Sequence, residues 1–342
     1  MRLAAAAATA THQEWSCTGQ ERPFFSDAES DTLAVVAPRT VPAPAPSSPL
    51  RRPPGFLPSP SAPPVLIDAH QHFWHYSAAE YDWIDESMAA IRRDFLPADL
   101  LAAGQDTDLD GSVAIQARQS LEETAWLLQL SETCAAIKGV VGWMPLAREG
   151  AAVAARLDRY RTHPRFKGVR HVLQAEPDAY FADAGFNAGL AAVAERNLTY
   201  DLLIKAPQLP AGIALVDRHP NLRVILDHIA KPVVDGPPPL AWREQIRELA
   251  RRPNVFCKFS GVVTEVPRWR WFPELLRPYF EVVLEAFGPR RLMFGSDWPV
   301  CLVATDYQRW HALVAEFIRP LPPAERAAIL GATAVSAYHL SP

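Results

Sequence analysis

The sequence predicts an α/β fold, a single (β/α)8 TIM barrel that follows a disordered N-terminal extension. From about residue 65 onward, short runs rich in Val, Ile and Leu recur every ~25–35 residues, with helix-like stretches between them, which is the spacing of βα units. Several runs are continuously apolar, as expected for a parallel sheet whose outside is covered by helices. Eight such units across residues 65–342 match one closed barrel.

The predicted strands and helices alternate along the chain. The strand candidates are Val65–Phe73, Gly111–Ala117, Ile137–Leu146, Phe166–Gln174, Thr199–Lys205, Arg223–Lys231, Val255–Val262 and Arg291–Val300. The helix candidates include Leu121–Ile137, Ala151–Arg161, Phe186–Arg196, Trp242–Arg251 and Leu275–Phe287. Sheet strands that alternate with helices in this way are typical of a parallel α/β architecture.

The first 64 residues differ from the rest of the chain. Between Pro38 and Pro64 there are 11 prolines in 27 residues. Proline fixes φ and removes a backbone donor, so this stretch is expected to be extended and disordered. The opening run MRLAAAAATA lacks the strongly apolar segment of a secretory signal. We therefore expect an accessory extension over 1–64, without chemistry of its own, and a barrel domain over 65–342.

The composition excludes several classes of partner. Hydrophobic residues make up 49% and charged residues 21% of the chain, and the net charge is −4 without a basic patch. This argues against binding to nucleic acid or to a membrane surface, and no apolar run approaches the ~18 residues that span a bilayer. The four cysteines lack Cys-x-x-Cys spacing, which favours core residues in a reducing, cytoplasmic setting. A homo-oligomer is left open.

The first predicted strand ends in a pair of histidines. Side chains alternate along a strand, so His70 and His72 point the same way and can bind one divalent metal ion together. Asp68 is expected on that face one step earlier. A hydrogen-bonded pair of structural histidines is the alternative.

Two later strands end in residues of the same kind. His228 ends strand six, and alternation places it opposite Asp227. Asp297 follows the apolar run of strand eight, where a carboxylate suits a metal ligand or a general base. The alternative for Asp297 is a helix cap or a turn before Pro299. Active residues of such barrels lie at the carboxyl ends of the strands, so these groups are expected to meet in one pocket.

Other strand ends supply candidate contacts to a substrate. Arg118 could hold a carboxylate or a developing oxyanion, although a surface salt bridge is as plausible. Strand four ends in Arg170 and His171, and alternation does not decide which of them faces the pocket. Lys231 lies just past strand six. Trp143 and Trp298 end strands three and eight, where an aromatic ring either walls a pocket or packs in the core.

With these residues in place, the chain resembles the amidohydrolase superfamily, and within it the lactonase branch that includes L-fuconolactonase and the 2-pyrone-4,6-dicarboxylate lactonases. The resemblance covers about residues 65 to 340. The matching stretches are IDAHQHFWHY (67–76), RRDFLPADL (92–100), KGVVGW (138–143), FKGVRHVLQAEPD (166–178), YDLLIKAPQLP (200–210), VILDHIAKP (224–232), CKFSGVVTE (257–265) and LMFGSDWPVC (292–301).

The resemblance implies a metal-dependent-hydrolase type of barrel that opens a small sugar-derived lactone in carbohydrate metabolism. It implies one divalent metal ion, zinc or manganese, although function without a tightly bound ion stays open. The implied metal ligands are His70, His72, His228 and Asp297. Asp297 would take the proton of the attacking water. No lysine or glutamate ends strand four, which argues against a second, bridged metal.

The remaining roles follow as hypotheses. We expect the oxyanion to be stabilised by the metal or, if no metal is bound, by His171 and Arg118, and the lactone to be bound by Arg170, Trp143, Trp298 and Lys231. Two other functions are left open: a metal-dependent decarboxylase of the same superfamily, and a barrel that binds a ligand without turning it over. The particular sugar and its stereochemistry cannot be read from the sequence.

Overall fold

The computed structural model describes residues 65–341, in which eight parallel strands follow one another around a barrel in sequence order. The strands are β1 Leu66–Gln71, β2 Leu109–Ile115, β3 Ile137–Gly142, β4 Phe166–His171, β5 Thr199–Leu202, β6 Arg223–Leu226, β7 Val255–Phe259 and β8 Leu292–Phe294. A parallel bridge between Gln71 and Trp298 brings the end of β1 to the segment after β8. The predicted (β/α)8 barrel is therefore confirmed.

Helices separate the strands and cover the outside of the barrel, except that the last helix packs against the apolar cluster inside it. They are α1 Pro97–Ala103, α2 Leu121–Thr133, α3 Leu146–Glu149, α4 Val153–Tyr160, α5 Ala184–Glu195, α6 Leu209–Arg218, α7 Leu240–Ala250, α8 Pro273–Phe287, α9 Tyr307–Ile318, α10 Pro323–Ala327 and α11 Thr333–Ala337. The five predicted helices each overlap one of these. The predicted strands run too far at their carboxyl ends, because the polar residues there belong to loops and short 3-10 turns.

The interior of the barrel contains a small apolar cluster that is distinct from the large core between strands and helices. Its strand residues are Ile67, Ala69, Val113, Ile115, Val141, Ile225 and Met293. Ala334, Ala337, Tyr338 and Leu340 from the C-terminal segment complete it. This apolar floor closes the amino end of the barrel, so the polar residues are left at the carboxyl ends of the strands.

Three further expectations can be compared with the described residues. Cys134, Cys257 and Cys301 are buried and free, as predicted for core cysteines. No helix between residues 65 and 341 is both long enough and apolar enough to cross a membrane. The predicted disorder of residues 1–64 lies outside the described residues and stays a prediction.

Candidate active site

An irregularity in β1 turns its two histidines into the barrel. The register between β1 and β2 shifts between Asp68 and Gln71, so strict alternation does not hold there. Asp68 accepts hydrogen bonds from the backbone N–H of Ser296 at 2.9 Å and from its hydroxyl at 2.5 Å. The expectation that Asp68 shares the face of His70 and His72 is therefore wrong, because the shift separates them.

A run of left-handed residues follows β6 and also breaks alternation. His228 and Ile229 have φ of 51° and 50°, and the positive φ continues through Lys231. As a result Asp227 and His228 both reach the centre of the barrel, and the prediction that they face opposite sides is wrong. Gly261, at φ 62°, packs against the ring: a Cβ there would lie 2.5 Å from His228 Nδ1.

The structure brings the four predicted ligands together from β1, β6 and β8. His70 Nε2 lies 3.2 Å from His72 Nε2. Asp297 Oδ1 lies 3.7 Å from His70 Nε2, 3.4 Å from His72 Nε2 and 3.8 Å from His228 Nε2. All four side chains are buried, with at most 4% of their surface exposed. A single concave cluster thus holds three imidazoles and one carboxylate.

The Nδ1 atoms of His72 and His70 point away from the cluster, and their contacts bear on where each ring carries its proton. His72 Nδ1 lies 2.9 Å from the carbonyl of Ile115, which can only accept, so the proton is on Nδ1. His70 Nδ1 faces two groups of opposite kind, the Lys258 Nζ donor at 3.1 Å and Asp227 Oδ1 at 3.3 Å. A carboxylate or carbonyl behind a histidine is the usual support of a metal-ligating ring.

The donor set fits a divalent metal ion. His72 Nε2 and Asp297 Oδ1 face each other as two acceptors 3.4 Å apart, beside His70 Nε2, and a cation between them resolves this conflict. Tetrahedral zinc with ligand bonds near 2.0–2.1 Å places its ligands ~3.3 Å apart, close to the separations found here. The ligand atoms of His70, His72 and Asp297 all lie within 4.8 Å of one another.

Burial sets the protonation of the cluster. It lowers the pKa of His72, and it lowers the pKa of His228 to about 4. Burial, followed by the Lys258 ammonium, holds the pKa of His70 well below its usual value. Burial alone would raise the pKa of Asp297, but the surrounding imidazoles hold it well below the ordinary range. The rings are therefore neutral and the carboxylate ionised, which is the state that binds a metal or accepts a proton.

A buried charge network lies beneath the cluster, and the pairing of Asp201 with Lys258 in it was not predicted from the sequence. Lys258 Nζ lies 2.5 Å from Asp201 Oδ2 and 2.9 Å from Asp227 Oδ1. Tyr338 donates a hydrogen bond to the same Asp201 oxygen at 2.7 Å. Burial raises the pKa of Asp201 to about 6, against the opposing effect of Lys258. The available signal was a charged residue inside each of two otherwise apolar strands, at Asp201 and Lys258.

Arg170 points into this network. Its Nη1 lies 3.1 Å from Asp227 Oδ2 and 3.3 Å from His70 Nε2, and its Nη2 donates to the carbonyl of Gln116. The side chain is 4% exposed. The structure therefore places this predicted substrate contact beside the predicted metal ligands, deep in the barrel.

His171 turns away from Arg170 and is held by aromatic neighbours. Its Nδ1 accepts a hydrogen bond from Trp143 Nε1 at 3.2 Å, so Nε2 carries the proton and donates to Glu176 at 3.0 Å. Its ring stacks on Tyr180 with centroids 5.1 Å apart. Both nitrogens are thus occupied by the protein, and an oxyanion role requires one of these contacts to open.

Two predicted cations lie in loops that follow the strands, and each has a carboxylate partner. Arg118 pairs with Glu80, and its guanidinium lies 5.5 Å from the ring centre of Tyr81. Lys231 Nζ lies 3.2 Å from Glu265 Oε1. Both are partly exposed, unlike the cluster.

The expectation that Trp298 walls the pocket is wrong. The ring is 1% exposed and belongs to the large core. It meets Phe95 edge to face with centroids 5.2 Å apart and Phe73 at 6.2 Å. Its backbone carbonyl accepts from His72 N–H at 2.7 Å, which ties the segment after β8 to β1. Trp298 therefore packs beneath the site and helps to position the first histidines.

A parallel eight-stranded barrel with a histidine and aspartate cluster at its carboxyl end defines a metal-dependent-hydrolase type of protein. The sequence matches the amidohydrolase family over residues 67–340, and the chain belongs to that family. Family membership and the donor set together support a divalent metal ion at this cluster.

The chain is similar to several known proteins of this kind. The chain is 41% identical over 289 residues to an L-fucono-1,5-lactonase of Burkholderia multivorans, which covers 81% of this chain and 96% of that protein. It is 28% identical over 182 residues to an L-rhamnono-gamma-lactonase of Scheffersomyces stipitis, which covers 47% of this chain and 54% of that protein. A zinc-bound crystal structure of an amidohydrolase from Burkholderia multivorans is 40% identical, with a TM-score of 0.77, and covers 81% of this chain and all of that one.

Proposed function

We propose that this chain hydrolyses a sugar-derived lactone, with L-fucono-1,5-lactone or a closely related aldonolactone as substrate. The observation that carries the proposal is the convergence of three imidazoles on Asp297 within 3.8 Å. It occurs in a chain that matches 96% of an L-fucono-1,5-lactonase at 41% identity. The proposed product is the open hydroxy acid.

Asp297 is the proposed general base. It is ionised and buried, so it can take the proton from a water molecule as that water attacks the lactone carbonyl carbon. A bond from the water oxygen to the carbonyl carbon forms, and the bond from that carbon to the ring oxygen then breaks. Asp297 returns the proton to the ring oxygen, which leaves as a hydroxyl group.

The tetrahedral oxyanion needs positive partners. A divalent ion held by His70, His72 and Asp297, with His228 beside it, would supply positive charge at this point. Arg118 and His171 are the proposed partners from the protein itself. Each must exchange an existing contact, with Glu80 or with Trp143 and Glu176, for the substrate.

The proposed contacts to the substrate are residues around the mouth of the barrel. Trp143 and Lys231 are partly exposed there, whereas the cluster is nearly sealed. Arg170 lies at its lower boundary, through its contact with His70. The sugar ring would therefore lie above the cluster with its carbonyl directed toward Asp297.

The test is a panel of fucono-, rhamnono- and galactonolactones and a pyrone dicarboxylate. Proton release is measured at constant pH with stripped protein and with added zinc or manganese. We expect enzyme-dependent opening of at least one six-carbon lactone. Carbon dioxide release from aromatic acids without lactone opening would instead support the decarboxylase hypothesis. Binding of a lactone without turnover would support a ligand-binding barrel.

A further inference from the structure

We propose that Arg170 is a built-in competitor of the metal ion, because its guanidinium lies against His70 Nε2, the atom that the metal would use. The affinity of the site for a divalent ion is then set by Arg170 as well as by the ligands. This inference rests on the proposed metal ligands and not on the identity of the substrate.

In any hydrogen bond between Arg170 and His70, Arg170 must be the donor. A guanidinium carries donors alone and stays charged, so Arg170 Nη1, 3.3 Å from His70 Nε2, can only donate to that nitrogen. A neutral imidazole has one lone pair. Donation from Arg170 therefore requires that His70 carry its proton on Nδ1.

Cations face both nitrogens of the His70 ring. Lys258 Nζ lies 3.1 Å from Nδ1, and it has a third N–H to donate there beside those that face its carboxylate partners at 2.5 Å and 2.9 Å. Asp227 Oδ1 lies 3.3 Å from the same nitrogen. Whichever nitrogen carries the ring proton, a metal ion on Nε2 must displace the Arg170 guanidinium from that atom.

Arg170 is fixed in this position from several sides. Its Nη1 also lies 3.1 Å from Asp227 Oδ2, and its Nη2 donates to the carbonyl of Gln116. In return, the Gln116 side-chain amide donates to the carbonyl of Arg170 at 3.3 Å. Moving the guanidinium away would break these bonds in a buried setting, where unpaired polar groups are costly.

A metal ion that binds His70 must therefore break the contact with Arg170 and accept a second cation nearby. Two positive charges repel strongly where water is excluded. The same arrangement gives the metal-free cluster a positive partner of its own. The expected result is weaker metal binding than the same ligands would show without Arg170.

The test compares zinc affinities of the full chain after removal of bound metal, by competition with a chromophoric chelator. Arg170→Met and Arg170→Gln should bind zinc about 10- to 100-fold more tightly, the range expected for removing one charge-assisted hydrogen bond. Arg170→Lys, which keeps the charge, should show a smaller gain. Arg196→Met, which loses an ion pair with Asp158 on the outer helices, should match the unaltered protein.

Equal or weaker zinc binding by the Met and Gln variants would overturn the proposal, as would the absence of zinc binding in all variants. If these variants do not fold, crystals of the unaltered protein grown with and without zinc decide the question. Zinc should separate Arg170 Nη1 from His70 Nε2, and a contact that persists in the zinc-bound crystal would contradict the competition. Lactone opening by the unaltered protein is measured separately, so failure of this inference leaves the proposed function intact.

Discussion

The two ends of the barrel interior are equally buried but are stabilised in different ways. The amino end is filled by aliphatic side chains such as Ile225 and Met293, closed by Tyr338. The carboxyl end holds charges that are as deeply buried, with Lys258 and Asp227 both at 0% exposure. Buried charges are tolerated only when they are paired and hydrogen-bonded. The buried charges of the site therefore stabilise one another, and the loss of one leaves its partners unpaired.

The largest expected effect is the loss of the ammonium that joins two buried carboxylates. Lys258→Met should lower the free energy of unfolding by about 3–5 kcal/mol, because Asp201 and Asp227 would be left without their main partner. Urea unfolding measures the change. The matched substitution in the apolar end, Ile225→Val, should cost only about 0.5–1.5 kcal/mol. Equal costs at the two ends would contradict the comparison.

The free energy of unfolding should depend on pH through Glu123, which lies near the carboxyl ends of the strands but outside the barrel. Glu123 accepts hydrogen bonds from the backbone N–H groups of Ala117 and Arg118, at 3.0 Å and 2.8 Å. Burial raises its pKa from 4.5 to about 7. The folded state therefore holds a proton that the unfolded state loses, so this contribution to stability is full below pH 4.5 and is lost as the pH rises through about 7.

Glu123→Gln keeps the acceptor and removes the titration. The unaltered protein should lose up to about 3 kcal/mol of stability relative to this variant between pH 4.5 and pH 8. Urea unfolding at both pH values checks this. A difference that does not change with pH, or one that grows in the opposite direction, would rule out a raised pKa at Glu123.

A smaller loss of stability is expected from a substitution at Gly261, whose backbone packs against the cluster. Gly261→Ala adds a Cβ that would lie 2.5 Å from His228 Nδ1 and 2.9 Å from Asp297 Oδ2, at a backbone φ of 62°. We expect a cost of about 1–2 kcal/mol from the left-handed conformation, and a clear loss of lactone turnover because the ring must move. Gly236→Ala is the control, since a Cβ there meets nothing within 4 Å. Equal stability and equal lactone turnover of the two variants would contradict this role of Gly261.

The sequence was sufficient for the barrel and for the four clustered residues, because each of them follows an apolar run at a strand end. It was not sufficient where the backbone leaves regular geometry. Asp68 and Asp227 were placed on the wrong faces, since a register shift in β1 and left-handed residues after β6 depend on tertiary packing. The pairing of Asp201 with Lys258 joins β5 and β7, which are not adjacent, and no local pattern reveals it. Trp298 was misassigned because core and pocket aromatics look alike in sequence.

The central claim is that Asp297, surrounded by three neutral imidazoles, moves the proton during lactone opening. The direct measurement is the rate of L-fucono-1,5-lactone opening by Asp297→Asn, beside Asp158→Asn, a surface control that pairs with Arg196 on the outer helices. We expect the Asp297 variant to lose ~10²–10⁴-fold in kcat, while the control keeps the full rate. A folded Asp297→Asn protein that opens the lactone at nearly the unaltered rate would contradict it.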